Sequence, residues 1–425
     1  MKAVIMAGGK GTRMASLDKD LPKPMLPLGG KPILAREIEV LVREGFTDII
    51  LVIGHLGHII KDYFGDGAHF GAHITYFTEE TPLGTAGALF YLKNALTEDF
   101  LLLGADLLFD VDLARFLAYH KEKGGLATLL THPSTHLFDS VAVDADAMGR
   151  VRALLPPTPD RVLRGNCTNA GLQICSPALL NRLTAPGRLD LDRDLLAPLA
   201  DEDALFAYNS PEYVKDMGTP ERLLQGESDL AARLPQKAYM GNSRPAVFLD
   251  RDGTVNRHIG FVNHPDRIAL LPHAAEAIML LNERHIPVFI VTNQPVIARG
   301  EVTREGLSEI HGRLACLLAR EGAFVNDIFY CPHHPDGGFA GEVAALKIPC
   351  ACRKPAPGLL LTAAARYNID LSRSVMIGDR DTDVMAGKNA GCLTAKIGDS
   401  TDCRADITGE NLYKCISEFL EREVL

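Results

Sequence analysis

Two acids one residue apart close an apolar run in "RPAVFLDRDGTVN": Asp250 and Asp252. If the run is a strand, its period of two sends both carboxylates to the same side at the strand's tip. Acids so close repel, and the pair is stable only with a cation or a shared proton. The chemistry this suits is attack on an electrophile by one and proton transfer by the other, with a metal ion binding the site together. A surface Asp-x-Asp-Gly turn is common for any single occurrence, so the reading depends on company. "FIVTNQ" ends a second apolar run with Thr292, Asn293 and Gln294, and "CRKP" supplies Arg353 and Lys354. A third run ends in "MIGDRDTD", which brings Asp379, Arg380 and Asp383.

A different chemistry is written at the start of the chain. In "MKAVIMAGGKGTRM" an apolar run empties into Gly8, Gly9 and Gly11, followed by Thr12 and Arg13. Glycines let backbone N–H groups approach a phosphate chain, and a guanidinium fork matches phosphate oxygens. Lys23 sits between two prolines in "LPKPMLPLGGKP", which holds its ammonium on a stiff segment. Alone, a glycine-rich turn after a strand is more often only a turn. A third cluster, in "CPHHPDGGFAGEVAALKIPCACRKP", gives Cys331-x-His333 and then Cys350-x-Cys352. Four soft or borderline ligands in two short pairs fit a tetrahedral Zn²⁺, and a closed set of four fits a structural ion. His334 competes with His333 for the histidine position. The other cysteines (Cys167, Cys175, Cys316, Cys392, Cys403 and Cys415) are scattered in apolar company and read as small buried hydrophobes.

The elements that would position these groups alternate. Strand-like runs "KAVIMA", "DIILVIG", "HITYFT", "DFLLLG", "LATLLT", "SVAVD" and "GLQIC" are interleaved with helical patterns over 32–44, 85–96 and 112–123. "PQKAYMGNSRP" then mixes Pro, Gly, Asn and charge without a period, and the pattern restarts with "AVFLD", "PVFIVT", "DIFYC", "SVMIGD" and "LTAKI". Helices are expected near 273–284, 303–320, 357–367 and 383–390. The expected fold is α/β in two domains, 1–234 and 246–425, joined by a linker at 235–245.

The bulk numbers narrow the function. A net charge of −10 without a Lys/Arg run argues against a nucleic-acid binder. The longest apolar runs are far short of the ~20 residues that span a bilayer. A cytoplasmic enzyme acting on small molecules is expected, with no nucleic-acid or membrane partner and with homo-oligomerisation left open.

The first half resembles the sugar nucleotidyltransferases. "GGKGTRM", "PKPMLPLGGKPIL", "PLGTAGAL", "ADLLFDVD", "NAG" and "VKDMGTPERL" follow in that family's order. The resemblance implies transfer of a nucleotidyl group from an NTP to a sugar 1-phosphate, on a Rossmann-like mixed sheet. It puts the triphosphate on Gly8, Gly9, Gly11, Thr12 and Arg13, with Lys23 at the reacting centre. Glu79 and the turn holding Gly84, Thr85 and Gly87 would lie along nucleotide and sugar, Asn169 would touch the sugar, and Asp106 and Asp216 would hold Mg²⁺. The family's Glu-Lys pair for the sugar phosphate is not visible, which leaves Arg161, Arg164 or Arg193 for that task.

The second half resembles the haloacid-dehalogenase superfamily of phosphatases, and within it the zinc-containing D-glycero-D-manno-heptose 1,7-bisphosphate phosphatases. "DRDGTVN", "GFVN", "TNQ", "IARGEV", "CPHHP" and "CACRKPAPG" carry the likeness, and "PVI" after "TNQ" departs from it. It implies a Rossmann-like sheet with a zinc loop. Asp250 would be the nucleophile, Asp252 the acid and base, and Thr292 and Lys354 the phosphoryl-oxygen ligands. Asn293, Gln294, Arg353 and Arg380 would border the substrate. Mg²⁺ would rest on Asp250, the Asp252 backbone carbonyl and Asp379, with Asp383 in support. Joined, the halves imply removal of a 7-phosphate followed by nucleotidyl transfer, with GTP favoured, to give a GDP-heptose for a surface glycan.

Overall fold

The computed structural model describes residues 1–9, 20–135, 140–158, 165–338, 340–398 and 404–422. Gly11, Thr12, Arg13, Arg161, Arg164 and Cys403 lie outside them.

Ala3–Ala7, Asp48–Ile53 and Phe100–Gly104 are nearly continuous apolar runs, the composition of strands covered on both faces. They pair in parallel, with His73–Thr78 completing a four-strand core. Numbered along the chain, these four stand in the order 3-2-1-4. Cys167–Cys175 then adds antiparallel to Phe100–Gly104 and carries Ala127–Pro133 beyond it, so the nine-stranded sheet is mixed.

The helix expected at 32–44 spans Ile33–Arg43; Leu34, Ile38 and Leu41 on its buried stripe pack on the sheet, while Ile33 packs in the cluster of Leu108, Tyr213 and Met217. The helix expected at 85–96 shrinks to Leu89–Leu92. Its would-be first turn is committed elsewhere: the Ala86 N–H donates to the Leu189 carbonyl and the Leu189 N–H to the Leu83 carbonyl. The pattern also missed the short ladder of Leu107–Asp110 with Tyr213–Asp216, whose partner strands are remote in sequence.

The second half forms six parallel strands in the order 3-2-1-4-5-6, from Val247–Leu249 as strand 1 to Ile407–Gly409 as strand 6. Helices occupy Ala274–Glu283, Arg304–Arg320, Gly358–Tyr367 and Asp381–Ala390, close to the expected spans. A closing helix, Leu412–Glu421, was not foreseen.

The stretch 235–245 is packed. Met240 is fully buried, and Arg244 donates through Nη2 to the Pro211 carbonyl at 3.0 Å. Asn209 donates to the Asn326 carbonyl at 2.6 Å, and Asn368 to the Met240 carbonyl at 2.7 Å. One apolar cluster contains both the Phe116–Tyr208 stack and the Phe289–Tyr367 stack, one from each half.

Glu212 closes this junction. Its Oε1 accepts from the N–H groups of Asp112 and Met240, and its Oε2 from the Ser210 hydroxyl. Burial pushes its pKa up to about 7 against those hydrogen bonds. A carboxyl with a raised folded pKa stabilises the fold fully below its unfolded value near 4.5 and loses that contribution as pH climbs through 7. Glu212→Gln keeps the two accepted bonds and can donate to Ser210. We expect it to flatten the fall in melting temperature between pH 5 and pH 8, and to exceed the wild type at pH 8 by on the order of 3 kcal/mol. Thermal melts across that range check this.

Candidate active sites

In open α/β sheets ligands gather beyond the carboxyl ends of the strands where the order reverses. In both sheets that place lies between strands 1 and 4.

In the first sheet these ends deliver Gly8 and Gly9 on one side and Ala105 and Asp106 on the other. Lys23 opens a single 3-10 turn, Lys23–Met25, and its Nζ pairs with Asp106. The Met217 N–H donates to the Asp106 carbonyl at 2.7 Å, which sets Asp216 beside Asp106 across the Leu107–Asp216 register. Arg222 pairs with Asp216. A Cβ at Gly218 would come within 2.4 Å of Asp216 Oδ1 and 3.7 Å of Lys23 Nζ, so a side chain there would invade the charged cluster. Two carboxylates, each balanced by a side-chain cation, fit a hard divalent ion only with ligand oxygens completing its shell.

Lys23, Asp106 and Gly218 border a cleft of 560 Å³ that also includes Gly9, Thr85, Asn169 and Asp192, while Asp216 and Arg222 stand behind its lining. Asn169 donates to Asp192 at 3.1 Å, and Thr85 Oγ1 accepts from the Leu191 N–H at 2.7 Å. Gly84 and Gly87 serve the cleft indirectly. A Cβ at Gly84 would sit 2.3 Å from the Leu189 carbonyl, and one at Gly87 2.2 Å from the Gly187 carbonyl. Their bareness lets the segment bearing Asp192 close on the turn. Glu79 stands against Gly8 with a buried, unpartnered Oε1, and burial raises its pKa. Arg193 is turned outward, largely exposed and paired with Asp194, and does not line the cleft.

Sequence reasoning missed Glu37. It is buried, accepts from the Leu107 N–H at 2.6 Å, and burial lifts its pKa well above the usual range. The signal was available: an acid on the apolar stripe of the Ile33–Arg43 helix needs a buried partner.

In the second sheet strand 1 runs into Asp250 and strand 4 into Asp379, while Asp383 lies in the first turn of the following helix. Carboxylate oxygens of these three lie within 4.8 Å of one another. Two glycines permit it. Gly253, at φ +89, leaves Asp379 Oδ2 only 2.4 Å from where a Cβ would stand, and Gly378 leaves Asp383 Oδ2 2.3 Å. Lys354 is buried, with Nζ 2.7 Å from Asp250 Oδ1 and 2.6 Å from Asp383 Oδ1. Burial works against its charge, but the two carboxylates outweigh burial and raise its pKa. Burial, opposed by Lys354, takes Asp383 up to about 6, and burial followed by Asp250 raises Asp379. Asp379 Oδ1 remains buried without a partner. Three converging carboxylates and an orphaned oxygen fit a hard, oxygen-seeking cation.

Asp252 is held apart from this trio. Its carboxylate takes bonds from Arg251, Asn256 and Gln294, which overcome burial and hold its pKa below the usual value. Its side chain therefore does not join the carboxylate trio, which leaves only the backbone carbonyl for the expected contact with a cation. Thr292 is buried and accepts from Gln294 at 3.0 Å. Asn293 clamps the backbone of Lys354, donating to its carbonyl at 3.1 Å and accepting from its N–H at 3.0 Å. Arg380 meets His258 at 2.6 Å on the cleft rim.

Cys331, His333, Cys350 and Cys352 converge as expected. Cys331 Sγ is 3.5 Å from Cys350 Sγ and 3.2 Å from Cys352 Sγ, and His333 Nδ1 is 3.4 Å from Cys352 Sγ. These are too long for a disulfide and near the ~3.8 Å edge of a tetrahedron with metal–sulfur bonds of about 2.3 Å. His334 instead lines the cleft that holds Asp250 and Lys354. Arg353 donates to the His333 carbonyl at 3.1 Å, which ties the cluster to the segment carrying Lys354. We expect about one zinc per chain by atomic absorption. We expect Cys352→Ser to lose it, with melting lowered by about 10 °C and phosphate release reduced more than nucleotidyl transfer.

Two family models match the chain: "Nucleotidyl transferase" over residues 2–232 and "HAD-hydrolase-like" over residues 351–411. Since the first covers more than half of it, the chain belongs to the nucleotidyl transferase family, with a haloacid-dehalogenase-type phosphatase fused behind. Mannose-1-phosphate guanylyltransferase of Mycobacterium tuberculosis is 32% identical over 246 residues, covering 56% of this chain and 67% of that one. D-glycero-beta-D-manno-heptose-1,7-bisphosphate 7-phosphatase of Yersinia pestis is 41% identical over 159 residues, covering 37% of this chain and 80% of that one. In fold, the first half is similar to a Bacillus anthracis protein assigned as a glucose-1-phosphate thymidylyltransferase. That likeness has TM-score 0.50 and 19% identity, over 54% of this chain and 94% of that one. Among the described residues no helix is long and apolar enough to cross a membrane.

Proposed function

We propose that this chain carries out two consecutive steps of nucleotide-sugar synthesis. The second half removes the 7-phosphate of D-glycero-D-manno-heptose 1,7-bisphosphate, and the first half transfers a guanylyl group from GTP to the heptose 1-phosphate that remains. The observation that carries the reading is the pair of carboxylate-tipped clefts, each at the reversal point of its own sheet and each with a lysine against the acids.

In the phosphatase, Asp250 attacks phosphorus to form an aspartyl phosphate. Asp252, two residues on and ionised in the resting site, takes up a proton when the anionic phosphate enters beside it. It passes that proton to the leaving alkoxide, and then takes one from the water that hydrolyses the intermediate. Lys354 and Thr292 bind the phosphoryl oxygens. Asp250, Asp379 and Asp383 would hold Mg²⁺, which neutralises the phosphate so that an anionic nucleophile can approach. The zinc cluster is structural and holds Arg353 and Lys354 in register. In the transferase no protein nucleophile is needed: Lys23 and Arg13 stabilise charge on the phosphates while the sugar phosphate attacks in line. Asp106 and Asp216 would hold the Mg²⁺ of that cleft, and Asn169 the sugar. We place the division between the activities at 235–245 and the enzyme in the cytoplasm, where its NTP is made.

Incubation of the protein with heptose 1,7-bisphosphate, GTP and Mg²⁺ should give phosphate, pyrophosphate and GDP-heptose. Reaction with ATP, CTP or UTP but not with GTP would refute the choice of base. Phosphate release from other sugar bisphosphates at higher kcat/KM would refute the choice of sugar.

A further inference from the structure

Two acids of the first cleft differ in their company. Asp106 is paired with Lys23. Asp192 lines the same cleft, half-buried, and among the described residues no cation pairs with it. Burial and then Asp190 raise its pKa, and only its bond from Asn169 opposes them. Nor does Asp192 join any group of three or more converging metal-ligating side chains among the described residues.

Its position is fixed on both sides. Thr85 Oγ1 accepts from the Leu191 N–H at 2.7 Å, and Asp190 Oδ1 accepts from the Arg193 N–H at 3.0 Å. Asn169 Nδ2 donates to Asp192 Oδ1 at 3.1 Å. Asn169 is pinned in turn, its Oδ1 accepting from the Gly171 N–H at 3.0 Å and from Gln173 Nε2 at 3.2 Å. The amide expected to touch the sugar has therefore committed its acceptor to the protein. Asp192 Oδ2 accepts no bond and is not closed off from the cleft. An ionised carboxylate only accepts, so its counterpart must bring donors.

Sheet order shows which part of a ligand brings them. Asn169 lies on Cys167–Cys175, which pairs with Phe100–Gly104. Gly8 and Gly9 follow Ala3–Ala7, on the other side of Phe100–Gly104. Asp106 with Lys23 thus stands between the glycine turn and the strand that anchors Asp192. Phosphate oxygens are drawn to Lys23 and repelled by a carboxylate without a counter-charge. Beyond the phosphates, on the Asn169 side, lies the body of the acceptor, and the donors of a sugar are its hydroxyls.

We propose that Asp192 reads a ring hydroxyl of the sugar 1-phosphate, and that Asn169 serves chiefly to hold it in place. This rests on the proposed nucleotidyl transfer and names the feature by which that cleft selects its acceptor. A sugar lacking the hydroxyl is rejected because it leaves the carboxylate desolvated and unpaired.

The test follows pyrophosphate release by the full chain with GTP, Mg²⁺ and heptose 1-phosphate or its 2-, 3- and 4-deoxy forms. Asp192→Ala should raise KM for the sugar phosphate by about tenfold or more, lower kcat less than about fivefold, and hold KM for GTP within about twofold. With wild type, one deoxy substrate should lose about tenfold or more in kcat/KM, and with Asp192→Ala the same substrate should lose less than about threefold. A residue that only props the cleft would leave the deoxy penalty as large in the variant, and that result overturns the proposal. So does an unchanged KM for the sugar phosphate, or a rise confined to KM for GTP, which would turn Asp192 toward the base. Wild type that releases no pyrophosphate with heptose 1-phosphate overturns the reaction itself, and this inference with it.

Discussion

Asp250→Asn should abolish phosphate release, by at least about 10⁴-fold, and leave nucleotidyl transfer from a pre-made sugar 1-phosphate within twofold. The amide has the size of the carboxylate but cannot form the aspartyl phosphate. It should not unfold the site, because Lys354 keeps its ion pair with Asp383 and its bond to the Val291 carbonyl. Removing one of three clustered acids also relieves repulsion when no cation is bound, so the metal-free melting temperature should hold or rise. Assays of phosphate, pyrophosphate and melting on one preparation separate these effects. Phosphate release within tenfold of wild type would rule out Asp250 as nucleophile.

Lys23→Met should do the converse. Methionine keeps the length of the side chain and its packing between Pro22 and Pro24, but removes the ammonium that pairs with Asp106. Asp106 and Asp216 then face incoming phosphates with less compensation. We expect kcat/KM for pyrophosphate release to fall by about 10³-fold, most of it in kcat, with the phosphatase untouched. Lys23→Arg should restore only part of the loss, since a planar fork does not replace a compact charge on a stiff turn. A methionine variant that loses less than fivefold would remove Lys23 from the reacting centre.

The second site was more legible than the first for a geometric reason. Its acids sit at strand ends or in the first turn of a helix, where spacing in sequence translates directly into direction in space. Asp250, Asp379 and Asp383 thus fall together from the sequence itself. In the first site the chemistry depends on a ladder between Leu107–Asp110 and Tyr213–Asp216, which no local pattern announces. The roles of Gly84 and Gly87 were legible only as freedom of backbone. That the freedom admits a segment around Leu189, and with it Asp192, is a tertiary fact. A cation is expected near the sugar phosphate and Arg193 offers one in sequence, yet its neighbour Asp194 draws it to the surface. Arg251 escaped notice because it stands between two conspicuous acids, although it is fully buried and anchors one of them.

The aromatic stacks on either side of the junction, Phe116–Tyr208 and Phe289–Tyr367, belong to one continuous apolar mass. Cutting the gene there would leave each product with an oily scar, so the two catalysts cannot be dosed separately. The cell receives them in a fixed one-to-one ratio, and an injury that melts one silences its neighbour.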